Sequence, residues 1–321
     1  IDNYNPATGK VTTKIPNSDN QDVELAVKAA QKALPSWADL PRIKRVEWLR
    51  KIAKALELRK DDIALTESMD TGKPISLAKR VDASRSVANF EFFAEHAEKL
   101  VDEEYEMADA TNYVIRKPVG VVGLITPWNL PLYLLTWKIA PALVMGNTIV
   151  AKPSELTPLT ANLLCEVLTS IQFPSGVINV IHGLGPSAGQ AILEHPQIKA
   201  ISFTGGTSTG KIVAQTAAPM FKKLSLELGG KNPFVVCDDA DIKEAVKWAS
   251  LSAFSNAGQR CSSGSRLLVQ KNVYDTFVKS FIKHIKHLKL GVEEGCDLGP
   301  VVSQRQCENI LHAIDVAKLE G

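Results

Sequence analysis

The stretch "KAISFTGGTSTGKI", residues 199 to 212, runs from an apolar strand pattern through two glycines into a helix pattern. The spacing of a loop that binds nucleoside triphosphates is present here: Gly205 is followed by four residues, then by Gly210 and Lys211. Such loops continue with a Ser or Thr that holds magnesium, whereas Ile212 has no oxygen to offer. The residues therefore favour a strand, a glycine turn and a helix N-terminus, an anion site that also suits a dinucleotide pyrophosphate.

Short apolar strand patterns alternate with helix patterns around this stretch. They are "GVVGLIT" (120–126), "NTIVAKPS" (147–154), "GVINVIHG" (176–183) and "KLSLELGG" (223–230). The alternation predicts an α/β fold with a doubly wound, Rossmann-like parallel sheet. A second alternation comprises "NPFVVC" (232–237), a helix around 242–254, "SRLLVQ" (265–270) and a helix after Asn272. We therefore place a domain boundary near Gly230.

The region before the sheet is predicted to be mainly helical, from Asp22 to about Leu100. One helix ends at "DTGKP" (70–74), because Gly72 suits a left-handed cap and Pro74 cannot continue a helix. Residues 111 to 118, "TNYVIRKP", are predicted to form an extended strand.

The uncharged segment "VGVVGLITPWNLPLYLLTW" (119–137) has the length of a membrane span. Pro127 and Pro131 lie in its middle and would break a helix. We therefore predict a buried strand, a loop and a helix start.

Composition and charge limit the class of protein. The 321 residues are 45% hydrophobic and 22% charged, values typical of a globular chain of about two domains. The formal net charge of +2, from 37 basic and 35 acidic residues, leaves no basic excess. We therefore predict neither a nucleic-acid nor a membrane partner.

The cysteines are Cys165, Cys237, Cys261, Cys296 and Cys307. Their odd number and wide spacing argue against a disulfide framework and a zinc site, so we predict no metal and a reducing, cytoplasmic compartment. Cys165 and Cys237 lie in apolar segments and are predicted to be small buried residues. The N-terminus carries no secretory signal and no initiator Met, so residues preceding Ile1 are not excluded.

Three polar residues are candidates for chemistry. Cys261 lies in the glycine-flanked polar loop "NAGQRCSSGSR", where a thiolate can be stabilised. Glu227 lies in an apolar strand, where desolvation would raise its pKa towards the range that suits a general base. The alternative is that Glu227 is a solvated surface charge. Asn129 lies between two prolines in a rigid turn that suits an oxyanion donor, and a plain turn residue is the alternative.

Seven motifs occur in the order found in one family. They are "NPATG" (5–9), "TPWNLP" (126–131), "WKIAPAL" (137–143), "AKPSELTP" (151–158), "FTGGTSTG" (203–210), "LELGGKNP" (226–233) and "NAGQRCSSGSR" (256–266). Together they resemble the NAD(P)-dependent aldehyde dehydrogenase superfamily over nearly the whole chain. Two segments are similar to the branch that oxidises muconic semialdehydes, which suggests a semialdehyde substrate.

The resemblance implies oxidation of an aldehyde to a carboxylic acid with NAD through a thioester. Cys261 would be the nucleophile, and Glu227 would activate the hydrolytic water. Asn129 would hold the oxyanion with the backbone N–H of Cys261, and Lys138 would take part in a proton relay near Glu227.

The resemblance also implies a set of cofactor contacts. These are Ile125, Thr126, Pro127, Trp128, Lys152, Glu155, Gly185, Gly189, Gly205, Gly206, Leu228 and Gly229. Lys152 and Glu155 would bind the adenosine ribose, and the carboxylate of Glu155 favours NAD over NADP. Gly206 stands where the family commonly has Ser, so one hydroxyl for the pyrophosphate is lost while the backbone donors remain.

On this basis residues 1–230 would be the NAD-binding domain, with 104–118 as the oligomerisation strand segment of a homodimer or homotetramer. Residues 231–321 would be the N-terminal part of the catalytic domain. Relatives continue past the position of Gly321, and their "E-x-F-G-P" contacts to the nicotinamide ribose have no counterpart here. We therefore expect an incomplete catalytic domain.

Three other functions are weighed against this one. A relative that passes the acyl group to coenzyme A generally lacks the glutamate found here at Glu227. A homologue or fragment that binds NAD without turnover remains the main alternative, because the family's last third is missing. A P-loop NTPase would need an acidic magnesium strand, and we find no matching one.

Overall fold

The computed structural model describes residues 1–321. Its helices are α1 (Asn20–Ala38), α2 (Arg42–Leu58), α3 (Lys60–Thr71), α4 (Ile75–Ala78), α5 (Ser84–Lys99), α6 (Pro131–Val144), α7 (Leu159–Ser170), α8 (Gln190–Glu194), α9 (Thr207–Ala217), α10 (Ile242–Phe254), α11 (Tyr274–Ile285) and α12 (Gln304–Glu320). Its strands are β1 (Asp2–Tyr4), β2 (Val11–Lys14), β3 (Glu103–Glu106), β4 (Thr111–Val114), β5 (Val121–Ile125), β6 (Thr148–Lys152), β7 (Ile178–Val180), β8 (Ile198–Gly205), β9 (Lys223–Leu228), β10 (Asn232–Val236) and β11 (Gly264–Val269). No helix combines the length and the apolar character that crossing a membrane would need.

Five strands form the main sheet in the order β7-β6-β5-β8-β9, and every neighbouring pair is parallel. The chain enters at the central strand β5, moves outward through β6 to β7, and then returns to β8 and β9 on the other side. This order confirms the predicted doubly wound α/β fold. It also creates a topological switch point between β5 and β8, where such sheets bind ligands.

Helices pack on both faces of the main sheet. On one face, Val122, Leu124 and Ile149 belong to a core shared with α2, α5, α6 and α7. On the other face, Val150 and Ile201 pack with residues of α1, α8 and α9. Because alternate residues of the central strands are buried in opposite cores, these strands are apolar throughout, and their sequence patterns are easy to recognise.

Local turn residues set several element ends as predicted. Helix α3 ends at Gly72, whose φ of 76° is in the left-handed region. Pro131 begins α6, where its missing N–H is not needed by the helix. The uncharged segment 119–137 accordingly divides into β5, a loop and the first half of α6.

Smaller sheets lie outside the main one. Strands β10 and β11 pair in parallel, and α10 and α11 pack beside them around Val236 and Phe277. The main sheet ends at Leu228 and this sheet begins at Asn232, on either side of the boundary placed near Gly230. The division into two domains stays a prediction.

Two antiparallel hairpins complete the architecture, β1 with β2 and β3 with β4. The strand predicted over 111–118 is shorter, since β4 ends at Val114. Pro118 and the charged pair Arg116 and Lys117 follow it, and the chain leaves the hairpin there.

Candidate active site

A cleft of about 680 Å³ opens where β5, β6, β8 and β9 end. The last residues of all four strands line it, namely Ile125, Lys152, Gly205 and Leu228. This position, at the carboxyl edge and beside the switch point, is where a doubly wound sheet binds its ligand. The fold alone therefore selects this cleft as the candidate site.

Most of the predicted site residues line this cleft. They are Ile125, Thr126, Pro127, Trp128, Asn129, Lys152, Glu155, Gly185, Gly205, Gly206, Leu228, Gly229 and Cys261. Glu227 and Lys138 line a different cleft, and Gly189 lies behind Lys152. The cleft therefore joins the predicted nucleophile to most of the predicted cofactor contacts.

The N-terminus of α9 opens into the cleft. Gly206 is the N-cap in an extended conformation, and no side chain caps the first turn. The free N–H groups of a first helical turn attract an anion. A Cβ on Gly205 would lie 2.4 Å from the ring of Phe203, so glycine is needed there to keep that packing. Thr207 and Thr209 add exposed hydroxyls beside these donors.

Lys152 and Glu155 form an ion pair in the cleft wall, with Lys152 Nζ 3.3 Å from Glu155 Oε2. Burial lowers the pKa of Lys152, and Glu155 acts in the opposite sense. A Cβ on Gly189 would lie at ordinary contact distance, 3.7 Å, from Lys152 Cδ, so Gly189 packs beside the lysine stem and does not line the cleft. The pair offers a donor and an acceptor to ligand hydroxyls.

Cys261 lies on the loop between α10 and β11, where its side chain is exposed. Three consecutive residues before it have left-handed backbone angles, with φ of 57° at Asn256, 55° at Ala257 and 73° at Gly258. Such angles disfavour residues other than glycine. At the start of β10, Asn232 Nδ2 donates to the backbone carbonyl of Cys261 at 2.8 Å. A tightly turned and anchored loop thus delivers the thiol to the cleft.

Asn129 is joined to the Cys261 loop by two hydrogen bonds. Its Nδ2 donates to the carbonyl of Gln259 at 2.8 Å, and Asn256 Nδ2 donates to the Asn129 carbonyl at 3.0 Å. An amide nitrogen carries two N–H groups, so one of them remains available to a ligand in the cleft. The Asn129 Oδ1 is buried without a partner.

Glu227 and Lys138 line a second cleft, of about 530 Å³, which Trp137 of α6 also lines. Lys138 is buried and its Nζ donates to Ser202 Oγ at 2.7 Å. Burial lowers the pKa of Lys138 to about 8, and the nearby Glu227 acts in the opposite sense. The side chains of Lys138 and Glu227 are therefore close together, as predicted.

The predicted desolvation of Glu227 is wrong, because its side chain is exposed. Successive strand residues face opposite sides, so the neighbouring Leu226 and Leu228 pack into the α9 face and do not cover Glu227. The structure places Glu227 with Lys138 and not in the cleft of Cys261.

The burial of the remaining cysteines differs from the prediction. All five are unpaired. Cys165 is half-buried, and burial raises the pKa of its thiol. Cys237 is exposed, which contradicts the predicted burial, because it follows the last buried residue of β10, Val236.

Ten further residues line the cleft of Cys261 and were not predicted as site residues. They are Ser154, Phe203, Thr204, Thr207, Thr209, Gly230, Lys231, Gly258, Gln259 and Arg260. Each lies inside one of the seven motifs, so membership of a motif was the available signal. The buried lysine behind Asn129, Lys73, lies outside those motifs and carried no such signal.

Comparisons with known proteins identify the family of this chain. Residues 1–321 match the model of the aldehyde dehydrogenase family. The chain is 43% identical over 325 residues to the 2-aminomuconic semialdehyde dehydrogenase of Mus musculus, covering 100% of this chain and 67% of that protein. It is 41% identical over 330 residues to the 2-hydroxymuconic semialdehyde dehydrogenase of Pseudomonas sp. (strain CF600), covering 100% of this chain and 68% of that protein.

A similar solved structure is the NAD+ complex of an aldehyde dehydrogenase from Bacillus cereus. It superposes with a TM-score of 0.97 at 39% sequence identity, covering 100% of this chain and 66% of that one. The chain thus spans about two thirds of the length of the relatives that it matches.

Proposed function

The chain belongs to the aldehyde dehydrogenase family, and from that premise we propose that it oxidises an aldehyde to a carboxylic acid with NAD. The observation that carries the proposal is that Cys261 shares one cleft with the open N-terminus of α9 and with Lys152 and Glu155. A thiol beside a dinucleotide-type site suits a reaction in which a hydride leaves the carbon that the thiol has attacked.

The residues of the cleft fit a dinucleotide at two places. The N-terminus of α9, with the backbone of Gly205 and Gly206, would hold the pyrophosphate. Lys152 and Glu155 would bind the adenosine ribose, and the carboxylate would repel a 2′-phosphate, which favours NAD over NADP. When bound, NAD supplies a nicotinamide ring that accepts the hydride.

In the acylation step, the Cys261 thiolate attacks the aldehyde carbon, so that a C–S bond forms and the carbonyl oxygen becomes an oxyanion. The second N–H of the Asn129 amide and the backbone N–H of Cys261 donate to that oxygen. Loss of the hydride then leaves the acyl group on Cys261 as a thioester.

In the hydrolytic step, Glu227 takes a proton from a water that attacks the thioester carbon, and the C–S bond breaks to return the Cys261 thiolate. Lys138 lies beside Glu227 and would relay the proton: with a pKa of about 8, its ammonium releases one proton to solvent and the resulting amine accepts the one from Glu227. Glu227 lies near the end of β9 with an exposed side chain, so it must swing towards Cys261 for this step.

The test is a comparison of Cys261→Ser with Cys165→Ser and Cys237→Ser. We expect Cys261→Ser to lose turnover, followed by NADH absorbance, by several orders of magnitude. NAD binding, measured by calorimetry, should stay within about threefold because the hydroxyl removes no cofactor contact. Wild-type protein that binds NAD and never turns over aldehydes would favour the non-catalytic alternative. Activity that survives Cys261→Ser and is lost on Cys165→Ser or Cys237→Ser would reject the nucleophile.

We further propose a semialdehyde as the substrate class. Two similar relatives are named as muconic semialdehyde dehydrogenases, and this chain covers two thirds or more of each. A panel of semialdehydes and of matched aldehydes without the acid group tests this point. A kcat/KM that does not favour the semialdehydes would contradict it.

A further inference from the structure

Lys73 places a buried ammonium directly behind Asn129. The residue is 1% exposed and follows the left-handed Gly72 that ends α3. Its Nζ donates to the backbone carbonyl of Asn129 at 3.1 Å and to Asp82 Oδ2 at 2.8 Å. Glu67 completes the cluster, with its Oε1 3.8 Å from the ammonium.

The cluster brings two carboxyl groups and one ammonium out of water. Burial raises the pKa of Glu67 well above its usual range, and the charge of Asp82 raises it further. Both Glu67 oxygens lack a hydrogen-bond partner, which an ionised carboxylate would tolerate poorly. We therefore treat Glu67 as neutral, which reduces the cluster to an ion pair between Lys73 and Asp82.

A buried ion pair is weak evidence for stability, because desolvation of both charges offsets most of their attraction. Its position suggests a different use. The Asn129 carbonyl accepts from Lys73 on one side and from Asn256 Nδ2 on the other, and the Asn129 side chain donates to Gln259. Lys73 is thereby linked through Asn129 to the loop that carries Cys261.

The Gly72–Lys73 turn also packs closely against the segment that begins at Gly299. The Cα hydrogen of Gly299 faces the carbonyl of Gly72, since a Cβ there would lie 1.8 Å from that oxygen. Two residues beyond Pro300, the Val302 N–H donates to Gln259 Oε1 at 3.0 Å. The segment 299–302 therefore contacts both the Gly72–Lys73 turn and the Cys261 loop. A displacement of the turn would therefore also displace the loop.

We propose that Lys73 is a positioning residue, which fixes the backbone of Asn129 and so sets the Asn129 amide and the Cys261 loop relative to each other. The kinetic part of this proposal rests on the proposed function. The structural part, rigidity of the loop, is measurable without turnover.

The experiment compares Lys73→Met with Lys73→Gln, two neutral side chains of equal length. Gln keeps an N–H that can donate to the Asn129 carbonyl, whereas Met keeps none. Hydrogen exchange is followed over residues 255–263, together with kcat per titrated Cys261 thiol and calorimetric NAD binding. Lys79→Met is the control, because it removes an exposed lysine of the following segment that pairs with Asp61.

In Lys73→Met we expect faster exchange of the loop by about tenfold or more and a fall in kcat of about 10- to 100-fold, as for a small misplacement of a catalytic group. NAD affinity should change by less than about threefold, since Lys73 does not line the cofactor cleft. Lys73→Gln should lie between Lys73→Met and wild type, and Lys79→Met should match wild type. If Lys73→Met does not fold, Asp82→Asn supplies the test, with loop exchange and kcat altered in the same direction.

Several outcomes would overturn the inference. Loop exchange at the wild-type rate in both Lys73 variants would do so, as would equal losses in Lys73→Gln and Lys73→Met. A loss of kcat that disappears when rates are expressed per titrated thiol would indicate a folding role alone and would also reject it. Faster loop exchange in Lys73→Met, in a protein whose wild type turns over no aldehyde, would support the structural part and count against the proposed function instead.

Discussion

In the backbone before Cys261, the residues Asn256, Ala257 and Gly258 all have left-handed angles. Of the three, only Gly258 adopts such angles without a steric penalty. Asn tolerates this region better than Ala, because a short polar side chain can bond locally. Ala257 is therefore the residue at which backbone strain is concentrated. The strain lies four residues before the thiol, in the loop that Asn129 anchors.

We predict that Ala257→Gly stabilises the protein by about 1 kcal/mol, because glycine adopts this angle without a steric penalty. The measurement is the free energy of unfolding in urea. Ala245→Gly, within α10, is the matched control and should destabilise by about 1 kcal/mol, the usual cost of glycine in a helix. Equal losses at the two positions would show that the left-handed angle of Ala257 carries no strain.

Asp70 predicts a pH dependence of stability. Its carboxylate is buried and accepts from Asn3 Nδ2 and from the Leu159 N–H, both at 2.9 Å. Burial raises its pKa from 3.8 to about 7, although both hydrogen bonds act in the opposite sense. The folded state thus binds this proton more tightly than the unfolded chain, so the contribution to stability is full below about pH 3.8 and is lost as pH rises towards 7.

We therefore expect the stability of Asp70→Asn, relative to wild type, to increase between pH 5 and pH 8, on the order of 2 kcal/mol. Urea unfolding of both proteins at each pH measures this difference. Asp61→Asn, on the exposed side of the same helix, controls for the loss of a carboxylate. A difference between Asp70→Asn and wild type that is constant with pH would contradict the raised pKa.

At the scale of elements, the alternation of side chains along β9 directs its last two residues into two different clefts. Leu228, which ends the strand, lines the cleft of Cys261, whereas Glu227 lines the cleft of Lys138. The carboxylate is thus held apart from the thiol by the pleat of one strand. A base that works only after acylation can occupy such a position, because it is not required when the thiol attacks.

For this reason we predict that Glu227→Gln allows acylation and blocks hydrolysis. Rapid mixing with NAD and aldehyde should give a single burst of NADH, of about one equivalent per active site, with little steady-state rate. Glu47→Gln, at an exposed carboxylate of α2 that lies outside both clefts, is the control and should keep the wild-type steady state. Unchanged steady-state turnover in Glu227→Gln would remove this residue from the mechanism.

The strands were predictable because short apolar runs separated by Gly and Pro are a strong local signal. Four of the five strands of the main sheet lie within the predicted segments, β8 begins one residue before its segment, and "DTGKP" predicted the end of α3. The exposure of Glu227 was not predictable from its apolar neighbours, since residues adjacent in a strand face opposite sides. The contact of Lys73 with Asn129 joins residues 56 positions apart, and no local pattern specifies such a pairing.

At the scale of the whole molecule, the hairpin of β3 and β4 has no partner within the chain. All eight of its strand residues are exposed, including Tyr105 and Tyr113. An isolated two-stranded hairpin is only marginally stable in water, and its free edges are templates for pairing with another chain. We therefore propose that this hairpin, which begins at Glu103 and otherwise lies in the segment 104–118, is an interface between copies of the chain.

We predict that the double substitution Tyr113→Lys with Ile115→Lys yields a smaller species than wild type. Tyr113 and Ile115 are each 64% exposed in one copy, so a new lysine should not disturb the fold of that copy. In an interface the two lysines of each copy would be buried without partners, at a cost of several kcal/mol per charge that a dimer contact cannot absorb. Sedimentation velocity measures the mass, and a thermal melt checks that the copy remains folded. Leu58→Lys, at a position 79% exposed on α2, is the control and should keep the wild-type mass. If wild type and the double variant sediment alike, either as single copies or as the same oligomer, the hairpin is not the interface.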